Sequence, residues 1–203
     1  MPKMAANLSM LFNEVPFMDR FDAAAKAGFT GVEYLFPYDY DLDAIAEKLQ
    51  KNNLTQVLFN LPAGNWAAGE RGIACHPERV SEFQEGVGKA IDAAKKLGCK
   101  QVNCLSGPVL PGVSEDKLRA TFVSNLKFAA EKLKAEGIRL VTEPVNTIDM
   151  KNAYLNHTQQ AVDIIRETGS DNLFIQYDIY HMQRMEGELA NTIKANLPLI
   201  KHM

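Results

Sequence analysis

The stretch AAKKLGCKQVN at residues 93–103 shows the pattern that decides the fold: the end of an amphipathic helix, a glycine stop at Gly98, and a short apolar strand. Two further stretches repeat this order, AAKAGFTGVE at residues 24–33 and KLKAEGIRLVTE at residues 132–143. Helices between consecutive strands allow parallel pairing, because a parallel crossover needs about a dozen residues or more. The repeated unit therefore predicts an α/β protein with a parallel sheet.

The same alternation extends along the whole chain. Seven apolar runs are typical of buried strands, at residues 4–9, 31–36, 55–60, 101–105, 138–142, 173–177 and 198–202. Six amphipathic segments lie between them, at residues 16–27, 41–52, 77–97, 114–136, 158–167 and 187–195. The units are roughly 32 residues long, so eight of them need on the order of 250 residues.

Two architectures accommodate such a chain, an open doubly wound sheet and a (β/α)8 TIM barrel. The first predicted strand is not followed by the glycine-rich loop that marks many open nucleotide-binding sheets. Instead, polar residues lie at the ends of several strands, namely Asn7, Glu33, Asn60, Asn103, Glu143 and Asp178. A barrel brings all strand carboxyl ends to one face, so we expect a TIM barrel. With 203 residues, we expect a single domain over residues 1–203 that lacks the last strand and the last two helices of the barrel.

Charge and composition exclude some partners. The chain has 22 Lys and Arg against 25 Asp and Glu, a formal charge of −3, which disfavours nucleic acid and anionic membranes as partners. It has neither a signal-peptide pattern nor an apolar run of roughly 18 residues, which predicts a cytoplasmic protein. Three cysteines without CxxC spacing are typical of reduced thiols, and Cys75 lies in a polar loop that could leave it exposed.

Glu143 and Asp178 are the main candidates for chemistry. Each follows an apolar strand directly, so a barrel would bring both carboxylates to its mouth, where they could bind a divalent metal. One of them could also move a proton. For either residue alone, a helix N-cap or a salt bridge is the alternative. His181, three residues after Asp178, is a candidate contact for substrate or metal.

The longest connection, residues 60–76, has the features of a substrate loop and contains Trp66 and Arg71. Arg71 could grip a substrate carboxylate with its planar guanidinium, or could instead form a surface salt bridge. Trp66 could form an apolar wall of the pocket or could anchor the loop.

Five segments distributed along the chain carry a resemblance to a known family, and the resemblance covers all 203 residues. They are AANLSMLFNEVPF at 5–17, GVEYLFPYDYD at 31–41, NLPAGNWAAGERGIAC at 60–75, TEPVNT at 142–147 and IQYDIYHMQRMEGEL at 175–189. They closely resemble the hydroxypyruvate isomerase family of the xylose-isomerase-like TIM barrels. The resemblance implies interconversion of hydroxypyruvate and 2-hydroxy-3-oxopropanoate (tartronate semialdehyde), a small hydroxy-oxo acid pair. A sister group that isomerises 2-oxo-tetronates is the nearest alternative.

The resemblance also implies roles for individual residues. Glu143 matches a glutamate that binds a divalent metal ion (Mg, Mn, Co or Zn) and donates or accepts a proton. Asp178 matches a second metal ligand, and His181 matches a histidine that contacts the substrate. The family's third metal ligand and second catalytic glutamate have no assigned counterpart in these 203 residues.

Two other functions remain open. A barrel nuclease acting on damaged DNA would need more histidine ligands than the four present and a basic groove, which the charge of −3 does not favour. A non-catalytic barrel with exposed sheet edges would bind or associate, which makes a homo-oligomer an expected form.

Overall fold

A computed structural model describes residues 3–203 of the chain. Seven parallel strands form one sheet in sequential order: β1 Ala5–Asn7, β2 Gly31–Glu33, β3 Thr55–Asn60, β4 Gln101–Cys104, β5 Arg139–Thr142, β6 Leu173–Gln176 and β7 Ile200–His202. The helices are α1 Phe17–Lys26, α2 Leu42–Lys51, α3 Val80–Leu97, α4 Glu115–Ala135, α5 Thr158–Thr168, α6 Ile179–Met185 and α7 Leu189–Asn196. Each of the seven predicted strands and six predicted helices has its counterpart.

The sheet is curled, and one contact demonstrates it. His202 Nε2 on β7 lies 2.7 Å from Glu33 Oε2 on β2. In a flat sheet these strands, five positions apart, would be separated by roughly 24 Å, since neighbouring strands are about 4.8 Å apart. Only a sheet that bends back toward its own first strands permits this contact. The predicted barrel architecture is therefore confirmed over the described residues, in place of an open doubly wound sheet.

The helices cover the outer face of the curled sheet. In α4 the buried residues follow the helical repeat, at Leu118, Phe122, Asn125, Leu126, Ala129, Ala130 and Leu133. Ser114 caps the start of α4 by accepting a hydrogen bond from the backbone N–H of Lys117. Gly98 ends α3 with a φ of 65°, as its position in the repeated motif predicts. None of the described helices is long and apolar enough to span a membrane.

Helix α6 is absent from the sequence-based prediction. It has seven residues, so it shows less than two turns of periodicity, and Asp178 begins it as N-cap. The suggestion that Cys75 could be exposed is wrong. Its side chain is buried and its thiol donates a hydrogen bond to Pro108 O at 3.3 Å, because the long loop folds back against the segment after β4. All three cysteines are free, as predicted.

The long loop and the segment after β4 meet at two glycines. Gly72 pairs with Ser106 in an isolated antiparallel bridge, and a Cβ atom on Gly107 would lie 2.5 Å from Gly72 O. Both glycines have positive φ, 117° for Gly72 and 93° for Gly107. This backbone approach holds the loop that carries Trp66 against the barrel mouth.

We expect Gly107→Ala to destabilise the protein by about 2 kcal/mol more than Gly69→Ala. Gly69 has the same φ of 93° but has no heavy atom within 4 Å of an added Cβ. Both variants therefore bear the strain of a positive φ, about 1–2 kcal/mol, and only Gly107→Ala adds overpacking. Urea unfolding of the two variants measures the difference, and equal losses would contradict the close approach.

Candidate active site

A cavity of about 420 Å³ opens at the carboxyl ends of the strands. Its lining comes from strand ends and from the loops that follow them. The lining residues are Asn7, Met10, Glu33, Tyr34, Leu35, Leu58, Asn60, Trp66, Leu105, Glu143, Val145, Asp149, Met150, Gln176, Asp178, His181, His202 and Met203. Among the residues that the structure describes, no lysine or arginine lines this cavity.

Glu143 lies directly after β5 and is almost fully buried, with 8% of its surface exposed. Its Oε2 accepts a hydrogen bond from Asn103 Nδ2 at 3.0 Å, and the same amide group donates to Asn60 Oδ1. Burial, and then the negative charge of Asp178, raise the pKa of the Glu143 carboxyl to about 8. At neutral pH this carboxyl therefore exists in both the protonated and the ionised form.

Asp178 follows β6 and begins α6. One of its carboxylate oxygens, Oδ1, accepts a hydrogen bond from the backbone N–H of His181 at 3.0 Å. The N-cap interpretation is therefore correct, and it uses one of the two oxygens. Because the residue also lines the cavity, the cap orients the carboxylate rather than removing it from the site.

His181 completes a cluster with these two carboxylates. Glu143, Asp178 and His181 each offer one potential ligand atom, and these three atoms lie within 4.8 Å of one another. Burial lowers the pKa of His181, opposed by the nearby charges of Asp178 and Asp149. A cluster of two carboxylates and one imidazole can bind a divalent cation, move a proton and donate a hydrogen bond to an oxygen.

Trp66 lies in a short 3-10 helix, Trp66–Ala68, of the long loop. It lines the cavity and packs edge-on against Phe36, with ring centroids 5.0 Å apart. Both sequence interpretations of Trp66 therefore describe its position, since it forms part of the cavity wall and also anchors its loop.

Arg71 lies outside the main cavity lining. Its guanidinium stacks over the Trp66 ring at 4.0 Å, and its Nη1 donates to the backbone oxygens of Trp66 and Glu70. It lines a small neighbouring pocket instead. Arg71 has no ion pair with any described residue, so the surface salt bridge is not formed. Its predicted contact with a substrate carboxylate stays a prediction.

A second polar group of the cavity joins β7 to the first two strands. Glu33 Oε1 accepts a hydrogen bond from Asn7 Nδ2 at 3.1 Å, and His202 Nε2 lies 2.7 Å from Glu33 Oε2. The sequence indicated Asn7 and Glu33 as polar strand ends, but it gave no sign of the pairing with His202.

Asn146 is a functional candidate that the sequence pattern did not reveal. It is fully buried and contacts Nδ1 of His181 through both its backbone N–H and its side-chain amide. The spacing Glu143-x-x-Asn146 just after a strand could have marked it, since a polar residue three positions beyond a strand-end carboxylate would lie in the same turn.

Comparisons with known proteins agree with this fold. The sequence profile described as the xylose isomerase-like TIM barrel matches residues 21–203. The chain is 51% identical, over all of its 203 residues and 79% of the relative, to "Hydroxypyruvate isomerase" of Escherichia coli. It is 41% identical, over 100% of the chain and 78% of the relative, to "2-oxo-tetronate isomerase" of Cupriavidus necator.

Among solved structures, one described as "AP endonuclease, family 2 from Brucella melitensis" superposes with a TM-score of 0.96 at 44% identity, covering 98% of this chain and 77% of that one. An L-ribulose 3-epimerase structure shares the fold with a TM-score of 0.75 at 22% identity, covering 98% of this chain and 68% of that one. With its sequential parallel sheet and its two strand-end carboxylates, this chain belongs to the xylose isomerase-like TIM barrel family and, within it, to the isomerases of the hydroxypyruvate isomerase group.

Proposed function

We propose that this protein interconverts hydroxypyruvate and 2-hydroxy-3-oxopropanoate, that Glu143 is one of the acid/base groups of the reaction, and that Glu143 and Asp178 hold a divalent cation. The observation that carries the proposal is the cluster of Glu143, Asp178 and His181, whose potential ligand atoms lie within 4.8 Å of one another. The name of the E. coli relative, 51% identical, supports the choice of substrate.

The reaction moves a proton between two adjacent carbons of a three-carbon acid through an enediolate. A base must remove the proton from the first carbon, and an acid must give a proton to the second. We assign one of these steps to Glu143, whose carboxyl group lines the cavity. Asn103 fixes one oxygen of Glu143, so the carboxyl keeps its orientation as the proton moves.

The residues of the cluster fit a divalent cation. Two carboxylates lie close together in a cavity that no described lysine or arginine lines, so their negative charge lacks a nearby full positive charge. Oxygen donors of this kind suit Mg or Mn, and Co or Zn would be compatible. When bound, such a cation supplies Lewis-acid polarisation of the substrate's oxygens.

Three further residues would contact the substrate. We assign to His181 a hydrogen bond to a substrate oxygen and to Trp66 an apolar wall that excludes water. Arg71 is assigned to the substrate carboxylate, and its position 4.0 Å above the Trp66 ring keeps it beside the cavity.

Isomerisation of a 2-oxo-tetronate is the second candidate. Two curated relatives with this name are 41% and 44% identical to the chain. The two substrates differ by one hydroxymethylene group, and a cavity of about 420 Å³ has room for either. The proposed proton transfer by Glu143 is the same for both.

A nuclease activity has less support, although the Brucella melitensis relative is described as "AP endonuclease, family 2". A phosphodiester backbone is bound by Lys and Arg side chains, and the described lining of the cavity contains neither. A cavity of this size also suits a small acid better than a duplex.

The activity itself gives the first test. The 203-residue chain is incubated with hydroxypyruvate, and separately with a 2-oxo-tetronate, with and without Mg²⁺ or Mn²⁺, and the product is measured. We expect Glu143→Gln to lose at least about 100-fold in turnover, because proton transfer typically contributes this much. Glu131→Gln on the exposed face of α4 is the matched control.

Near-normal turnover by Glu143→Gln would contradict the proposed role of Glu143. No turnover of either substrate by the unsubstituted chain, together with self-association, would favour the non-catalytic alternative.

Metal binding has a separate test in Asp178→Asn. Asparagine is as good an N-cap as aspartate, so this variant should keep α6 while removing one anionic ligand. We expect Mn²⁺ at about 100 times its Kd to stabilise the unsubstituted protein by about 2.7 kcal/mol and the variant by far less. Calorimetric titration and thermal unfolding measure this, and Asp92→Asn on the exposed surface of α3 is the control. Equal stabilisation of all three proteins would show that Asp178 is not a ligand.

The raised pKa of Glu143 also predicts a pH dependence of stability. Below about pH 4.5 the carboxyl is protonated in both the folded and the unfolded state, so it has no differential effect. Between pH 4.5 and about 8 only the folded state retains the proton, so the free energy of unfolding falls as the pH rises. We expect Glu143→Gln, in the presence of a chelator, to be more stable than the unsubstituted protein at pH 8–9, by a few kcal/mol, since each pKa unit is worth about 1.4 kcal/mol.

Urea unfolding at a series of pH values measures this difference. The stability of the two proteins should converge toward pH 4.5, and a constant offset at every pH would argue against a buried, destabilising carboxylate.

A further inference from the structure

The imidazole of His181 has an unusual partner on one of its two ring nitrogens. The backbone N–H of Asn146 points to Nδ1 at 3.2 Å, and the side-chain nitrogen Nδ2 of Asn146 lies 2.7 Å from the same atom. Among the described residues, Nε2 of His181 has no hydrogen-bond partner. The two residues are 35 positions apart in the chain, so this contact exists only because the turn after β5 meets the start of α6.

The orientation of the Asn146 amide is fixed by three other hydrogen bonds. Its Oδ1 accepts from the backbone N–H groups of Ile148 at 3.0 Å and Asp149 at 2.8 Å. Its Nδ2 donates one hydrogen to Asp149 Oδ2 at 3.0 Å. Exchanging the oxygen and nitrogen of the amide would break all three bonds, so the group facing His181 is N–H and not C=O.

A second layer of contacts holds this arrangement in place. Asp149 Oδ2 also accepts a hydrogen bond from the hydroxyl of Tyr180, and Arg184 Nη1 in turn donates to that hydroxyl at 2.8 Å. Tyr180 and Arg184 lie on α6, the helix that carries His181, so the helix and the turn after β5 are also joined through Asp149. Asn146 is fully buried within these contacts.

The hydrogen bonds determine where the His181 proton lies. Two N–H donors face Nδ1, so Nδ1 must present its lone pair, and the ring proton must be on Nε2. A metal ion needs a free lone pair on a ring nitrogen. In this tautomer the lone pair of Nδ1 is used by Asn146 and Nε2 carries a hydrogen.

We propose that Asn146 is a positioning residue that holds His181 as its neutral Nε2–H tautomer, which makes His181 a hydrogen-bond donor in the cavity and not a third metal ligand. That the acceptor is an oxygen of a small hydroxy-oxo acid rests on the proposed function. A fixed N–H beside the carboxylates Glu143 and Asp178 is suited to an oxygen that gains negative charge as a proton leaves the neighbouring carbon.

The test is nitrogen-15 NMR of the histidine rings in the labelled 203-residue protein at neutral pH. The signals of His181 are assigned by their loss in His181→Gln. In the unsubstituted protein, Nε2 should carry a directly bonded proton and Nδ1 should not. A proton on Nδ1, or on both nitrogens, would overturn the proposal without any variant being needed.

Asn146→Ala removes the side-chain donor and leaves the backbone donor. We expect the ratio of the Nδ1–H to the Nε2–H form to rise about fivefold, because one hydrogen bond contributes about 1 kcal/mol. Asn191→Ala, at an exposed position on α7, should leave the ratio unchanged. An unchanged ratio in a folded Asn146→Ala protein would show that Asn146 does not set the tautomer.

Zn²⁺, which favours imidazole ligands, tests whether His181 is a metal ligand. The Nε2 proton of His181 should persist when Zn²⁺ is added, and its loss would identify His181 as a ligand instead. Hydroxypyruvate, and separately a 2-oxo-tetronate, is added to Glu143→Gln, which should turn over neither, and the compound that binds by calorimetry should shift the Nε2–H resonance. Binding of either compound without a shift would overturn the role as donor to substrate. The NMR measurement of the tautomer does not require turnover. A protein that has the expected tautomer but no isomerase activity would therefore contradict the proposed function and still support the role of Asn146.

Discussion

The curl of the parallel sheet is the constraint on which the rest of the structure depends. Glu143, Asp178 and Asn103 each belong to a different strand end, and none of them is near another in the sequence. A sheet that bends until β7 reaches β2 brings all these ends to one opening, as the contact between Glu33 and His202 shows. The helices make the curl possible, because each returns the chain to the next strand with the same hand and covers the outer face.

The cluster of Glu143 and Asp178 that this convergence creates destabilises the folded state. A carboxyl group that is 8% exposed and faces a second carboxylate is unfavourable when ionised, and that cost appears as a raised pKa at Glu143. Hydrogen bonds from the side chains of Asn103 and Gln176 partly offset this cost. In the proposed reaction the same environment would make the ionised carboxylate a stronger base than a solvated glutamate. The free energy gained by packing the rest of the barrel therefore offsets the unfavourable free energy of this site.

How well the sequence predicts each structural feature depends on how far apart in the chain the interacting residues lie. Strands, helices and glycine stops such as Gly98 depend on neighbours within a few residues, and their patterns were sufficient. Glu143 and Asp178 were also predictable, because a barrel topology alone brings strand ends together. Contacts between distant segments left no local pattern: His181 with Asn146, His202 with Glu33, and the burial of Cys75 beneath a folded loop. Helix α6 was too short to show periodicity.

The turn after β5 carries two polar groups of the candidate site, the Glu143 carboxyl and the Asn146 amide, within seven residues. Glu143 begins it, and Asn146 and Asp149 follow at intervals of three, so the backbone that aims the carboxyl also aims the amide at His181. Pro144 follows Glu143 directly, and because it has no backbone N–H it cannot continue the hydrogen-bond ladder of β5, which ends at Thr142. The start of α6 likewise positions two groups at once. Asp178 caps the helix by accepting a hydrogen bond from the backbone N–H of His181, and this fixes the backbone of His181. Two short segments, 143–149 and 178–184, therefore determine the geometry of the whole cluster. A shift of either segment would move a carboxylate and the imidazole contact together.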